Sequence, residues 1–528
     1  MDDAITFTPD EIAGRAAAAR AVADKVRSQV NTQAARPVWA YNHVLAYGQS
    51  LSNGWEGWPS LSKTQPYDNL MVGDSVHPAS EPSGTWATTG TAAFNPLIAT
   101  VRPPGVSTLD DDATVAAYSP GNAARGETVL EGCLNFWRKQ QLALRGLLSD
   151  STRRLVASSC GVGGKSIEEL SKGAATELFN RLRGAATAAQ TLATAASGTY
   201  GVAAVLWLQG ENNSLGSSGT TDRATYKALC ATLQSDITAD IATTIAAQAA
   251  PPAIFTYQTS GTYVSDTYVL SIPQAQLECA LELDNWYLAA PSYPVTDKGG
   301  HLDPNGYRWL GQQFGKVMHR VLDLGQGWRP LHPLHATWRG TQVLVAFHVP
   351  YPPLAVAPCY VATKGTTYPD AGFTVTDDDG RIGVLRTEIV AECCVLLTLE
   401  RAPAGNPFLW YGDKAHHNGN GNLRDSDPAV ATDCYEYAPG TGQYPAADIA
   451  ALAGKPYPLW NWCVVFRMPI APAPPAAKAA RPEAPAAVPD SPAWQILRGA
   501  AVAPPEQAPG APARPPLWQR LFGRDKRE

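Results

Sequence analysis

Between positions 43 and 324 the chain alternates short apolar runs with longer stretches in which apolar residues recur every three or four positions. The runs at 43–47, 154–158, 202–208, 253–257 and 286–289 read as strands, and the periodic stretches at 128–148, 167–196, 224–249, 273–283 and 304–322 as helices. Strands without a polar face, separated by helices, predict a parallel sheet covered on both sides. Ligands of such sheets bind beyond the carboxyl ends of the strands, so a site is expected in the segments that follow these runs.

The pattern differs on either side of this region. Thr8-Pro9-Asp10-Glu11 supplies a capping residue, a proline for the first turn and an acid three positions after the cap, and Ile12, Ala16, Ala19, Val22, Val26 and Val30 continue at helical spacing. This amphipathic helix either packs on the main domain or serves as a docking or oligomerisation element. Beyond Gly325 the runs at 342–349, 372–376, 381–385, 395–400 and 463–467 read as strands joined by proline-rich connections, which predicts a β-sandwich. Alanine and proline then dominate, and a segment with so few hydrophobes is expected to be a disordered tether. It ends in the apolar and basic cluster Leu517-Trp518-Gln519-Arg520-Leu521-Phe522-Gly523-Arg524, a candidate docking peptide. The expected organisation is a helix at 1–37, an α/β domain at 38–325, a β-rich accessory domain at 326–470 and a tail at 471–528.

Composition narrows the class. With 528 residues, 45% of them hydrophobic and 17% charged, the chain can bury a large core. A net charge of −6 gives no reason to expect nucleic acid or an anionic membrane as partner. No apolar stretch is long enough to span a bilayer, and the acidic start MDDAITFTPDE is unlike a signal peptide, so the expected location is cytoplasmic or reached by a non-Sec route or with a particle. The nine cysteines are scattered and include no C-x-x-C pair; they read as buried thiols, with no metal site expected. The pair His416-His417 reads as a surface feature, and the oxygen-rich run 418–427 as a polar loop or, less readily, a calcium loop.

Four segments at predicted strand ends carry candidate chemistry. In Tyr47-Gly48-Gln49-Ser50-Leu51-Ser52 a strand opens into a turn at Ser50. In Cys160-Gly161-Val162-Gly163-Gly164-Lys165-Ser166, Ser166 and Glu169 form a capping box, so the glycines precede a helix N-terminus whose free N–H groups can face a developing oxyanion, or simply make a tight turn. Trp207-Leu208-Gln209-Gly210-Glu211-Asn212-Asn213 puts amides and a carboxylate at the rim of the sheet. Last, Asp303 and Pro304 start a helix, which leaves His301 on the loop ahead of it. A serine hydroxyl needs such a base, because it is a poor nucleophile until a proton acceptor lies within hydrogen-bond reach. The aromatic segment with Trp55, Trp58 and Tyr67 suits either one wall of a sugar cleft or the core of an insertion, and 78–126 reads as loops beside the site.

In this order, GQS, GGxS before a helix, WxQGE, and D…H before a helix with Gly306-Tyr307 resemble the blocks of the SGNH hydrolase superfamily, in its branch of sialate O-acetylesterases and acetylxylan esterases. The resemblance spans roughly residues 40–324 and implies a three-layer α/β/α sandwich, Ser50 as nucleophile and His301 as general base. It implies an acid that orients His301, for which Asp297 is the first candidate and Glu211 the second; Asp297 stands four positions before the histidine where the branch has two or three. For the oxyanion hole it implies the backbone N–H groups of Ser50 and Gly164 with a side-chain amide from Asn212 or Gln209. The implied activity is removal of O-acetyl groups from a carbohydrate through an acyl-enzyme, with no metal or organic cofactor. The rival reading is a glycan-binding or structural component of a phage tail or secretion particle that retains the fold.

Overall fold

The computed structural model of the chain describes residues 6–31, 33–79, 83–360 and 367–474. Seven strands form the central sheet: β1 (Tyr41–Gly48), β2 (Leu70–Val72), β3 (Phe94–Pro96), β4 (Arg154–Ser159), β5 (Tyr200–Leu208), β6 (Ala253–Gln258) and β7 (Trp286–Pro291). Their order is β3-β2-β4-β1-β5-β6-β7, parallel throughout except that β3 runs antiparallel to β2 at the edge. β1 is central, with β4 on one side and β5 on the other, so the chain reverses its direction of winding there and opens a crevice beyond the carboxyl ends of these strands.

The apolar strands bury residues on both faces. Val44, Ala46, Leu206 and Phe255 pack under helices Val129–Arg145 and Pro304–Met318 on one side. Leu45, Tyr47, Val205 and Ile254 pack under helices Asn180–Ala195, Arg223–Asp236 and Ser271–Glu282 on the other. These layers are the expected α/β/α sandwich. The five expected strands are all present, each extended by one to three residues. Three helices depart from expectation: 167–196 breaks into Ile167–Leu170 and Asn180–Ala195, and the stretches after Asp236 and Met318 continue as π-helical segments, Ile237–Ile245 and His319–Asp323. Neither β2 nor β3 is among the expected strands, β2 lying in the aromatic segment and β3 in the 78–126 stretch read as loops, because three-residue strands carry no usable period.

The chain beyond Gly325 forms two antiparallel sheets over a shared core that includes Val345, Phe347, Phe373, Leu397, Leu409 and Phe466. One sheet orders Val384–Ala391, Cys394–Leu399, Gln342–His348 and His332–Arg339, with Ala471–Pro472 added in parallel at its edge. The other orders Gly380–Ile382, Phe373–Asp377, Phe408–Tyr411 and Phe466–Pro469. This region also packs on the sandwich: Tyr457 stacks on Trp309 at 5.2 Å and its hydroxyl accepts from Arg308 Nε at 2.9 Å.

The N-terminal helix, Pro9–Ser28, has the expected Thr8/Glu11 capping box. Its buried face covers the C-terminal sheet and not the α/β domain: Phe7, Ala16 and Ala19 join that core, and Glu11 pairs with Arg339 at 2.8 Å. In the polar run 418–427, Asp427 Oδ2 accepts from Lys316 Nζ at 2.8 Å and Asp425 from Asn461 Nδ2 at 2.7 Å, so these carboxylates are engaged by protein side chains. One other sequence expectation changes: His417 is buried and not on the surface. The expected alanine- and proline-rich tether and its terminal cluster lie outside the described residues. Among the described residues, no helix is long and apolar enough to cross a membrane.

Candidate active site

Ser50 opens a one-turn 3-10 helix, Ser50–Asn53, directly beyond β1. Neighbouring strands fix that turn. Gln49 N donates to Leu208 O at 2.8 Å on β5, and Ser159 Oγ at the end of β4 donates to Ser52 O at 3.1 Å. Gly48 makes the approach possible: its φ is +141°, and a Cβ there would lie 2.0 Å from Leu208 O. Ser50 is only 9% exposed and lies at the floor of a cavity of 690 Å³.

His301 meets it from the loop after β7, with Nε2 2.9 Å from Ser50 Oγ. A short backbone pairing between Asp297 and Leu302 turns that loop back, and the Asp303 cap, whose Oδ1 accepts from Gly306 N at 2.7 Å, anchors it to the following helix. Burial pushes the imidazole down from 6.5 to about 4, so at neutral pH it is uncharged and can accept the serine proton.

The carboxylate that approaches the far side of the ring is Glu56, with Oε1 3.8 Å from His301 Nδ1. Glu56 sits in the turn that leaves Ser50, in a left-handed conformation with φ 61°, which carries its side chain back towards the histidine. Burial raises its pKa, and nearby Lys298 opposes that rise. Neither expected acid occupies this position. Asp297 lines a small enclosed space of 20 Å³ beneath the loop, with Gly300 and Tyr263. Glu211 lines the main cavity, but one of its oxygens accepts from the Tyr257 hydroxyl, and burial raises its pKa against that bond. A carboxylate six positions after the serine was the one available sequence signal for Glu56.

The oxyanion candidates divide in the same way. Gly163 and Gly164 line the cavity ahead of the short helix Ile167–Leu170, whose capping box of Ser166 and Glu169 forms as expected. The backbone N–H groups of Ser50 and Gly164 donate to no acceptor among the described residues. Asn212 also lines the cavity, but its side-chain amide donates to Gly164 O at 2.6 Å and to Ser218 Oγ at 3.1 Å, so it braces the glycine loop. Gln209 is fully buried, does not line the cavity, and gives its amide to Asn213 Oδ1 at 2.6 Å. It is a strut: the Tyr226 hydroxyl donates to its Oε1 at 2.7 Å.

Of the aromatic segment, Trp55 forms a cavity wall, with its ring 6.2 Å from that of His301. Trp58 is core, packed with Val101, Val115 and Ala124, and Tyr67 does not line the cavity. Two further lining residues escaped the sequence reading. Tyr263, after β6, places its ring 6.4 Å from His301, and Arg125 stacks over Trp55 at 5.4 Å. Nothing in their local sequence marks either one.

Residues 147–320 match the family model described as carbohydrate esterase, sialic acid-specific acetylesterase. That segment is similar to this family. It contains the glycine loop, Glu211, Asn212 and His301, while Ser50 and Glu56 precede it and join it only through the fold. The family supports ester hydrolysis as the general class of activity. No curated protein matches the chain. Solved structures similar to it include a carbohydrate acetylesterase from Xanthomonas citri, at 15% identity and a TM-score of 0.46, covering 81% of this chain and 80% of that one. A protein from Arabidopsis thaliana, at 15% identity and TM-score 0.35, matches over 53% of this chain and 99% of its own. NanS, at 11% identity and TM-score 0.35, matches over 55% and 99% respectively.

The state of His301 gives the esterase segment a testable pH signature. Only the neutral imidazole can accept the serine proton, and its pKa is lowered to about 4, so kcat/KM is expected to fall as pH drops through that region. A pH–rate profile of ester hydrolysis checks this: an acid limb near the ordinary histidine value of 6.5 would contradict it.

Proposed function

We propose that the protein is a serine esterase that removes O-acetyl groups from a carbohydrate through an acyl-enzyme. The observation that carries this reading is the 2.9 Å contact between His301 Nε2 and Ser50 Oγ at the floor of the cavity. His301 takes the hydroxyl proton as Oγ attacks the ester carbonyl, and returns it to the departing sugar hydroxyl. Water, deprotonated by the same imidazole, then attacks the acetyl-serine, and acetate leaves as Oγ regains its proton. The Ser50 and Gly164 N–H groups face the oxyanion in this scheme. Glu56 favours the imidazolium that forms along the way, a charge absent from the ground state, so its contribution falls on the transition state.

A carbohydrate substrate is supported by the cavity walls. Trp55 and Tyr263 offer flat faces beside the reacting groups, and aromatic faces suit the apolar faces of sugar rings. A paired serine and histidine also weigh against a site decayed to mere binding, since nothing in glycan binding requires that contact. The deciding experiment is acetate release from O-acetylated sialic acid and from acetylated xylan by the purified protein. Release from one or both is expected; no release from either, together with no turnover of 4-nitrophenyl acetate, would overturn the reading.

A further inference from the structure

One loop of the C-terminal β-region lies against the segment that carries a wall of the cavity. Residues 413–421 follow the strand Phe408–Tyr411 and lie against residues 260–266, which follow β6 and carry Tyr263 into the cavity wall. The two segments are joined by four hydrogen bonds. Lys414 N and Ala415 N each donate at 2.8 Å to one carboxylate oxygen of Asp266. Lys414 Nζ donates to Thr262 O at 2.7 Å, and Gly261 N donates to Gly419 O at 2.9 Å. At Gly419 the backbones meet so closely that a Cβ would lie 2.1 Å from Gly261 O, and its φ of +78° also suits glycine.

The loop is braced by an ion triad. His417, 1% exposed, is held between two carboxylates: Nδ1 meets Asp413 and Nε2 meets Asp370 at 2.8 Å. Thr374 Oγ1 and His416 N both donate to Asp413, and the Tyr368 hydroxyl donates to His417 O at 2.7 Å. Those carboxylates outweigh burial and raise the imidazole to about 9, so the ion triad persists across the neutral range. Next in the loop, Asn420 lines the small enclosed space with Asp297, Gly300 and Tyr263, directly beneath the His301 loop.

We propose that this loop of the β-region is a positioning element of the active site: by clamping residues 260–266 it fixes Tyr263 as a wall that selects for the carbohydrate part of the ester. The accessory region thus sets specificity from behind the cavity wall, through Tyr263. This rests on the esterase reading above, and its chemistry predicts a split between substrates. An ester with no sugar has little to gain from the Tyr263 wall, whereas an acetylated saccharide depends on it.

The test compares 4-nitrophenyl acetate with an acetylated xylo-oligosaccharide for Gly419→Ala, which drives a methyl group against Gly261, and Lys414→Met, which removes the Nζ bond to Thr262 O. For Gly419→Ala, KM for the saccharide is expected to rise about tenfold while kcat on 4-nitrophenyl acetate stays within about threefold; Lys414→Met should shift KM in the same direction by less. Tyr263→Ala should raise the saccharide KM as well, and adding Gly419→Ala to it should cost little more, because both act through one wall. Hydrogen exchange of the amides in 260–269 supplies a readout independent of turnover, and faster exchange is expected in both loop variants. Unchanged exchange there, equal losses on both esters, or additive effects with Tyr263→Ala would each overturn the proposal. If the wild type hydrolyses neither these esters nor O-acetylated sialic acid, the esterase reading fails by itself, and the exchange data still decide whether the loop holds the segment.

Discussion

Ser50→Ala is expected to lose about 10⁴-fold or more in kcat/KM on 4-nitrophenyl acetate, with His301→Ala falling to the same floor. The nucleophile and its base act as one unit across a 2.9 Å contact, so removing either leaves only what the oxyanion donors and the cavity contribute. For the same reason the double variant should be no worse than either single one. The serine change deletes a single oxygen from a residue that is not part of a buried apolar cluster, and it should leave thermal unfolding nearly unmoved. Steady-state kinetics alongside thermal melts check both statements. Activity of Ser50→Ala within tenfold of the wild type, in a folded protein, would exclude this serine as nucleophile.

Glu56→Gln is expected to lower kcat by about 10²-fold with KM little changed, whereas Asp297→Asn should cost less than about fivefold. Glutamine keeps the size of the side chain 3.8 Å from Nδ1 and removes the charge, so the loss reports electrostatic support of the imidazolium and not packing. The sign of an accompanying pH effect is fixed. The anion favours protonated His301, so deleting it lowers the imidazole pKa further and moves the acid limb of the profile to lower pH even as the rate falls. A purely structural role for Glu56 would lower the rate without moving the limb. If Asp297→Asn produced the larger loss and Glu56→Gln little, Asp297 would be the orienting carboxylate.

Much of the frame of this site was legible in advance because it depends on local chemistry. The five apolar runs became strands, and the boxes at Thr8/Glu11 and Ser166/Glu169 and the Asp303–Pro304 start capped helices where expected. What went unread depends on groups that converge from distant parts of the chain. His417 looked like part of a surface pair, since nothing in the sequence places Asp370 on its Nε2. The N-terminal helix presented an apolar face but not the sheet that covers it, formed by strands more than three hundred positions away. Gln209 and Asn212 both qualified as amide donors by type, and only their partners separate a buried strut from a residue that braces the glycine loop.

The sequence by itself determined the order of strands and helices, the polar segments at the strand ends and the pairing of a serine with a histidine as the chemistry to expect, because strand burial and capping are set by neighbours along the chain. Only the tertiary structure decided which carboxylate faces His301, which aromatic rings wall the cavity, and that residues 413–421 of the β-region lie against the segment carrying Tyr263. Those outcomes depend on the paths of loops through space. A left-handed turn at Glu56 brings its carboxylate to the ring while Asp297, four positions from the histidine, turns beneath the loop instead.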